Sequence, residues 1–503
     1  MQRSGNRPYT ATILCLLGLY FLLAAAAVPR LVPYLDEGFF AAPPWALLHR
    51  GHFGSLTLEP CAYPLLRESP AATVPHIDKR NYINMPLHGV LQSGWYTVTG
   101  FSLESMRWLS VLWGVVYLLA TAAVTTSLTG RRWVGLGAMG IVAADPVFFL
   151  WACRGRMDVM AAALGLTGVA LYLHWRQDRL PLALLAGNCA GAAAGMTHPM
   201  GGIVAAFALA MTALVLDARR LPRWRNLLLL LAPYLLAAAG WGWYIAQDPA
   251  SFTAQFGATL GKRASGGVAV WELPWRELRD RWLPGYGFGT GIAVWKMLAL
   301  AGYALALLLT LARWRQVDRN VKLLAGLALL ALMALGFLDS YRQQPYLVYA
   351  LAPLAALAAW HVGRAPRWIW AAVGLVLALE AGSSVRLLLQ DRRATQYEPV
   401  IAYMRLHNPE RLPMVGSSEL GFGLGFDGAL RDDFRLGYCS GRQPEWIIAS
   451  PGYRDGWRQI ERFEPEAGRY VTDLLRNRYQ TVYEGTIYTI YRRISDGLMR
   501  PAK

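Results

Sequence analysis

Charged residues are scarce in this chain, and acidic residues are scarcer than basic ones. Of its 503 residues only 16% are charged, whereas 55% are hydrophobic, and the mean hydropathy is +0.28. This composition is typical of a polytopic membrane protein with some soluble mass attached. The five cysteines include no CxxC pair, which argues against a metal ribbon or a redox motif.

The formal net charge is +17 and the pI is near 9.8. The basic residues do not form one patch, as a nucleic-acid-binding surface requires, but fall in short clusters between apolar runs. We therefore predict no nucleic-acid partner. The first apolar run lacks a convincing A-x-A cleavage site, so we interpret it as a retained membrane anchor.

About eleven apolar runs are long enough to cross a bilayer. They lie at about 10–28, 105–128, 133–150, 157–174, 180–197, 200–216, 226–246, 293–312, 321–338, 344–361 and 368–389. The basic clusters in every second connection share one side with the N-terminus, which the positive-inside rule makes cytoplasmic. The prediction is a multi-pass protein of the inner (plasma) membrane.

The opposite, exoplasmic side then receives a first loop at 29–104 and a second at 247–292. Within the first loop, Pro86–Thr99 is amphipathic and too short to span, so we predict a helix that lies on the membrane and ends at Gly100. Cys61 and Cys439 also fall on this side, where they either form a disulfide or remain two unpaired thiols.

Two domains are expected: a transmembrane domain at 1–391, which includes both loops, and a soluble exoplasmic domain at 392–503. The fold class is thus mainly α, with a small C-terminal α/β domain, because polar residues rise after 392 and long apolar runs disappear. This domain has no G-x-S-x-G, Walker or HExxH pattern. Its predicted elements are helices at Glu398–His407 and Glu464–Arg476, strands at Met414–Ser417 and Trp446–Ser450, and a hairpin within Tyr479–Arg492.

The adjacent acids Asp36 and Glu37 follow the first apolar run directly. A carboxylate at a membrane surface is costly to desolvate, so it should pair, bind a cation or act as a base. The structural alternative for this pair is helix capping or an ion pair with Arg30.

A series of short motifs continues from these acids on the same exoplasmic side. The series comprises Leu35-Asp36-Glu37-Gly38-Phe39-Phe40, Met85-Pro86-Leu87-His88, Gly100–Ser110, Arg154-Gly155-Arg156-Met157-Asp158, Thr197-His198-Pro199, Tyr341–Tyr346 and Ala352-Pro353. In order and in side it resembles the GT-C membrane glycosyltransferases, and more narrowly the group of protein O-mannosyltransferases and lipid A aminoarabinose transferases. The resemblance covers roughly residues 10–390. It departs at the interfacial motif, which has one proline where the family often has two.

The resemblance implies inverting transfer of a sugar from a polyprenyl-phosphate donor to an acceptor hydroxyl on the exoplasmic side. Such transfer needs one base, for which Asp36 is the candidate, with Glu37 orienting the acceptor or the loop. A phosphate leaving group demands fixed positive charge, for which the candidates are Arg342, Lys262, Arg263 and His198. Structural or substrate-orienting roles are expected for Arg156, Asp158, His88, Arg107 and Tyr346.

The predicted partners are the membrane, the lipid-linked donor and a lipid, polysaccharide or protein acceptor. No cofactor is firmly predicted. A divalent cation at Asp36 is an open alternative, although one acid pair supplies few ligands. The main rival function is a transporter or flippase, which would place its charges near the bilayer midplane, often in two related halves. A non-catalytic assembly or sensor protein is the third alternative.

Overall fold

The computed structural model describes residues 7–61, 73–264, 270–287 and 295–494. In chain order its α-helices are α1 (Arg7–Ala27), α2 (Leu35–Arg50), α3 (Pro86–Thr99), α4 (Leu103–Thr129), α5 (Arg132–Ala144), α6 (Pro146–Ala152), α7 (Met157–Trp175), α8 (Leu180–Thr197), α9 (Pro199–Asp217), α10 (Trp224–Ile245), α11 (Pro249–Ala264), α12 (Leu273–Glu277), α13 (Leu283–Gly285), α14 (Trp295–Ala312), α15 (Arg319–Leu338), α16 (Val348–Val362), α17 (Arg367–Leu389), α18 (Glu398–His407), α19 (Gly421–Leu424), α20 (Pro451–Phe463) and α21 (Pro465–Arg478).

Nine of the described helices are long and apolar enough to cross a membrane, namely α1, α4, α7, α8, α9, α10, α15, α16 and α17. A tenth candidate is the pair α5 and α6, which is bent by 69°. The run predicted at 293–312 is α14, which is apolar but shorter. The prediction of a mainly helical, multi-pass membrane protein is confirmed.

The span predicted at 133–150 is not one straight helix, because it breaks at Asp145. Pro146 has no backbone N–H to donate and disfavours the helical conformation of the residue before it. Asp145 accordingly has extended backbone angles, and its carboxylate accepts hydrogen bonds from the N–H groups of Val147 (2.9 Å) and Phe148 (3.0 Å). Asp145 therefore ends α5 and caps α6.

Small residues set the spacing at the centre of the bundle, where α7 packs against α4, α8 and α9. Gly168 of α7 and Gly187 of α8 approach so closely that a Cβ at Gly168 would lie 2.7 Å from the Gly187 carbonyl oxygen. Close backbone approach of this kind holds helices together in a lipid environment, where the hydrophobic effect contributes little.

Helices α2 and α3 pack on each other at the end of the bundle where α4 begins. We call this end the α2 face. The helix predicted at Pro86–Thr99 is confirmed as α3, and Gly100 ends it with a positive φ of 78°. The two helices bring the chain that follows α1 back over the ends of the bundle helices, so their polar side chains lie beside the turn between α6 and α7.

The C-terminal region forms a five-stranded mixed sheet with the order β2-β1-β3-β5-β4. Its strands are β1 (Met414–Gly416), β2 (Leu430–Arg431), β3 (Trp446–Ala449), β4 (Tyr479–Glu484) and β5 (Thr489–Arg493). Helix α18 packs on one face, and α20 and α21 pack on the other. The predicted helices, strands and terminal hairpin are confirmed, whereas α20 was not predicted. The domain boundary near residue 391 stays a prediction.

A disulfide between Cys61 and Cys439 joins the first loop to the C-terminal domain, with the two Cα atoms 6.1 Å apart. Of the two alternatives, the structure therefore has the disulfide. The three remaining cysteines, Cys15, Cys153 and Cys189, are free.

Thiol counting tests this disulfide. Denatured protein alkylated without reductant should carry three labels by mass spectrometry, and after reduction it should carry five. The Cys61→Ser variant frees Cys439 and should carry four labels under both conditions. Five labels on unreduced wild-type protein would rule the disulfide out.

Candidate active site

Two adjacent carboxylates, Asp36 and Glu37, lie in the first turn of α2. The backbone N–H of Tyr34, the residue before the helix, donates to Glu37 Oε2 at 2.8 Å. Acidic side chains are favourable at this position because the first N–H groups of a helix have no intrahelical acceptors and the helix dipole is positive there. Helix capping, one of the structural alternatives for this pair, is thus present at Glu37.

Glu37 is fully buried, and hydrogen bonds occupy both of its oxygens. Arg107 donates to it twice, from Nε at 2.7 Å and from Nη2 at 2.8 Å, and the Gly155 N–H donates at 2.9 Å. Burial alone would raise the pKa of Glu37, but the nearby Arg107 outweighs it and lowers the pKa below its ordinary value. Glu37 therefore stays ionised and holds the start of α2 against α4.

Arg107 uses its remaining donors to anchor the chain between α1 and α2. Its Nη1 donates to the carbonyls of Val28 (2.7 Å) and Leu31 (2.8 Å), and its Nη2 donates to that of Val32 (3.2 Å). The other structural alternative, an ion pair with Arg30, is wrong, because Arg30 donates to the carbonyl of Ala26 instead. The buried guanidinium of Arg107 therefore fixes the backbone that leads from α1 to Asp36.

Asp36 is the exposed member of a second ionic cluster, with 31% of its side chain accessible. Arg156 contacts the Asp36 carboxylate through Nη1, and its Nε donates to Asp158 Oδ2 at 2.7 Å. Asp158 itself is fully buried. One arginine thus bridges two carboxylates, of which only Asp36 faces open space.

Aromatic rings surround the guanidinium of Arg156. It lies over Phe40 at 5.2 Å and over Trp151 at 5.5 Å, and Arg154 stacks beside it on Tyr34 at 4.7 Å. Burial alone would lower the pKa of Arg156, but the charge of Asp158 reverses this and raises it. Arg156 is therefore a permanent cation held in a fixed position by Asp158 and the rings.

A buried histidine–tyrosine group lies next to Asp158. His198 Nε2 is 3.1 Å from the hydroxyl of Tyr346, and its Nδ1 is 3.4 Å from that of Tyr349. The charge of Asp158 is within electrostatic reach of both His198 and His88. Burial in α3 lowers the pKa of His88 to about 4 despite that charge, so His88 is neutral at physiological pH.

Arg342 belongs to a third ionic cluster, in which two arginines and two acids alternate. Its Nε is 3.4 Å from Glu277, and Arg281 contacts both Glu277 (3.1 Å) and Asp339 (3.1 Å). Two guanidinium nitrogens, Nη1 of Arg281 and Nη2 of Arg342, have no hydrogen-bond acceptor among the described residues. Arg281 is also within electrostatic reach of Tyr346, so the second and third clusters adjoin.

The structure thus brings most of the predicted site residues together at the α2 face. They are Asp36, Glu37, His88, Arg107, Arg156, Asp158, His198 and Tyr346, with Arg342 in the adjoining cluster. Lys262 and Arg263 lie in the last turn of α11, and their side chains are outside the described residues. Sequence analysis missed Glu277 and Arg281, whose i,i+4 spacing on consecutive helical turns was the available signal.

No protein-family model matches this chain, and no curated protein matches it significantly by sequence. Solved structures do match it along its whole length. ArnT from Cupriavidus metallidurans bound to undecaprenyl phosphate superposes with a TM-score of 0.61, at 14% identity, over 99% of this chain and all of that chain. The apo state of the same protein gives a TM-score of 0.62 at 14% identity, over 98% and 99% of the two chains.

The oligosaccharyltransferase of Archaeoglobus fulgidus matches with a TM-score of 0.51 at 12% identity, over 96% of this chain and 74% of that chain. Both matched proteins are GT-C membrane glycosyltransferases. The chain has the GT-C fold. Because both sequence identities are low, the likeness establishes the fold only. The chemistry of this chain has to be argued from its own residues.

A metal site would need several oxygen or nitrogen ligands at one place. Among residues 7–61, 73–264, 270–287 and 295–494, no group of three or more His, Cys, Asp or Glu side chains is arranged to hold a metal ion. The cation contacting Asp36 in the structure is the guanidinium of Arg156.

The buried pair of Glu37 and Arg107 makes a prediction about stability. Arg107→Ala leaves a buried carboxylate without its cation, so we expect it to cost roughly 3–5 kcal/mol of unfolding free energy. Differential scanning fluorimetry and denaturant titration in detergent measure this cost. The matched control is Arg30→Ala, at an exposed arginine near the same helix end, which should change stability by less than about 0.5 kcal/mol.

The pH dependence of the same variant has a defined sign. In wild-type protein the pKa of Glu37 is lower in the folded state than in the unfolded state. The ion pair therefore contributes its full stability above the unfolded-state pKa, and this stability is lost as pH falls through the folded-state pKa. In Arg107→Ala, protonation of Glu37 removes an unpaired buried charge. As pH falls, the difference in unfolding free energy between Arg107→Ala and wild type should therefore become smaller. A difference that grows would contradict the ion pair of Glu37 with Arg107.

Proposed function

We propose that this protein is an inverting membrane glycosyltransferase that moves a sugar from a polyprenyl-phosphate donor to an acceptor hydroxyl on the exoplasmic side. The single observation that carries the proposal is the asymmetry of the acids at the α2 face. Glu37 and Asp158 are buried and paired, whereas Asp36 presents a partly open carboxylate beside them. One reachable carboxylate in a fixed position suits one proton transfer.

Asp36 is proposed as the general base. Arg156 holds one oxygen of its carboxylate in place. The other oxygen can then accept the proton of an acceptor hydroxyl while the hydroxyl oxygen attacks the anomeric carbon. Because the attack and the departure of the phosphate occur on opposite faces of the sugar, the configuration inverts. Glu37 does not face the open space around Asp36, so its proposed role is to hold the first turn of α2.

The leaving phosphate needs fixed positive charge, which the cluster of Arg281 and Arg342 supports. Their nitrogens without acceptors are suited to phosphate oxygens. Burial raises the pKa of Glu277, against the effect of both arginines, and a protonated Glu277 would leave the cluster with net positive charge. Lys262, Arg263 and His198 stay predicted contributors to the same phosphate site.

A small apolar cavity lies inside the bundle and reaches the buried histidine–tyrosine group. It is lined by α4, α7, α9, α15 and α16, with Thr125, Leu166, Ala205 and Leu324 among its walls. Tyr349 lines the same cavity and also contacts His198. The support for a lipid-linked donor comes from ArnT, which has the same fold and was solved bound to undecaprenyl phosphate.

The placement of basic residues supports an exoplasmic α2 face and a cytoplasmic N-terminus. The folds matched by this chain favour sugar transfer over the transporter alternative, because both belong to glycosyltransferases. The proposed location is the inner (plasma) membrane, with both the site and the C-terminal domain outside. The transfer assay described below identifies which sugar is moved and which acceptor receives it.

Asp36→Asn tests the base. In membranes supplied with radiolabelled polyprenyl-phosphate sugars, we expect wild-type protein to transfer label and the variant to lose about 10²–10⁴-fold in rate. Binding of the labelled donor by purified protein should be unchanged, because Asn keeps the shape of the side chain and the phosphate lies elsewhere.

The matched control is Asp455→Asn, which changes an exposed acid of α20 far from the clusters and should leave the rate unchanged. Equal turnover of wild type and Asp36→Asn would contradict the assignment of the base. Wild-type membranes that transfer no sugar from any donor in the panel to any endogenous acceptor would count against the proposed function itself.

Arg342→Gln tests the phosphate site. Losing a charge-assisted hydrogen bond of about 1.5–3 kcal/mol should raise the donor KM by roughly 10- to 150-fold. Steady-state kinetics with the donor identified above measures this. Arg276→Gln is the control, since Arg276 is an exposed arginine of α12 that pairs with Glu272 outside the cluster. An unchanged donor KM in Arg342→Gln would place the phosphate elsewhere.

A further inference from the structure

The C-terminal domain contacts the active-site helix directly, through backbone atoms. Gly38, two residues after Asp36, packs against the Ser418–Leu420 turn of that domain. A Cβ placed on Gly38 would lie 2.2 Å from the carbonyl carbon of Ser418 and 2.3 Å from the N of Glu419. Only a glycine permits this approach, so the turn forms a wall against the first turn of α2.

A buried carboxylate, Asp432, holds that wall in place. Its Oδ2 accepts hydrogen bonds from the N–H of Ser418 (3.1 Å) and from the Ser418 hydroxyl (2.8 Å), and its Oδ1 accepts from the hydroxyl of Tyr453 (2.9 Å). Asp432 is only 2% exposed. Removing its side chain would leave three buried donors of the domain without an acceptor.

The same residue also holds the far end of the loop that contains α2. The Asp432 N–H donates to the carbonyl of Thr57 at 2.6 Å, and Leu58 pairs with Asp432 as in a parallel sheet. Next to it, Arg431 donates to the Leu58 carbonyl at 3.0 Å. The segment from 38 to 58 is therefore held at both ends through one position of the C-terminal domain, shortly before the disulfide at Cys61.

We propose that Asp432 is a positioning residue for the active site, and that the C-terminal domain serves as the outer half of the frame that aligns Asp36. It acts through the Ser418 turn and does not touch the substrate. The inference rests on the proposed function for its catalytic consequence, but its structural consequence, ordering of α2, does not.

Asp432→Ala and Asp432→Asn separate positioning from bulk stability. The Asn side chain keeps an oxygen for Ser418, and the tyrosine hydroxyl can reorient to accept from its amide. Burial raises the pKa of Asp432 to about 6, so the folded site favours the neutral carboxyl more than water does, and a neutral Asn is a moderate change. We expect Asp432→Ala to lower kcat by about 10²-fold with donor KM within about twofold of wild type, and Asp432→Asn to restore most of kcat.

The matched control is Asp433→Ala. Asp433 is equally buried, but among the described residues its carboxylate accepts only from the N–H groups of Arg435 and Gly437, which belong to the same domain. It should lower thermal stability and leave kcat unchanged. Equal losses of kcat in Asp432→Ala and Asp433→Ala, a loss that Asn does not restore, or an effect on KM alone would each overturn the positioning role.

Hydrogen–deuterium exchange provides a readout that needs no substrate. Peptides covering α2 should exchange several-fold faster in Asp432→Ala than in wild type, Asp432→Asn or Asp433→Ala. Unchanged exchange would refute the inference even if the protein is active, whereas faster exchange in a protein without transferase activity would refute the proposed function alone. If Asp432→Ala does not fold, Gly38→Ala tests the same wall from the other side, with the same expected outcomes.

Discussion

The buried ion pair of Arg107 and Glu37 is the interaction on which the rest of the site depends. It joins the start of α4 to the start of α2, and the same guanidinium binds three carbonyls of the chain that leaves α1. A buried charge pair is stabilising only when nearly all of its polar atoms are satisfied. Here that condition fixes the backbone on both sides of Asp36. The position of the Asp36 carboxylate therefore depends on the buried contacts of Glu37.

The charged residues at the α2 face have different structural roles. Asp158 and Glu37 hold arginines, Arg156 holds Asp36, and the cluster around Arg281 and Arg342 retains donors without acceptors. Each charge that is buried is paired, as low dielectric requires. Asp36 is the most exposed charge of these clusters, whereas the guanidiniums of Arg281 and Arg342 are buried.

Much of the fold was predictable because helices in a membrane are specified by local composition. The bounds of α3 and α18 agree with prediction at both ends, since a proline starts each helix within its first two residues and a glycine or asparagine follows its end. The break at Asp145 was missed, although Pro146 signalled it, because an apolar run of normal length suggested one continuous span. Partners such as Arg107 for Glu37 were missed because 70 residues separate them in sequence.

The sequence by itself determined that the chain is a multi-pass helical protein, that its polar motifs share one face, and that this face begins with two adjacent acids. These features depend on short-range pattern and on the cost of burying charge in lipid. Only the tertiary structure decided which acid is reachable. Neighbouring helix positions point about 100° apart, so Glu37 faces Arg107 and Gly155 while Asp36 faces outward. That outcome, like the contact of Gly38 with Ser418, depends on packing between elements far apart in the chain.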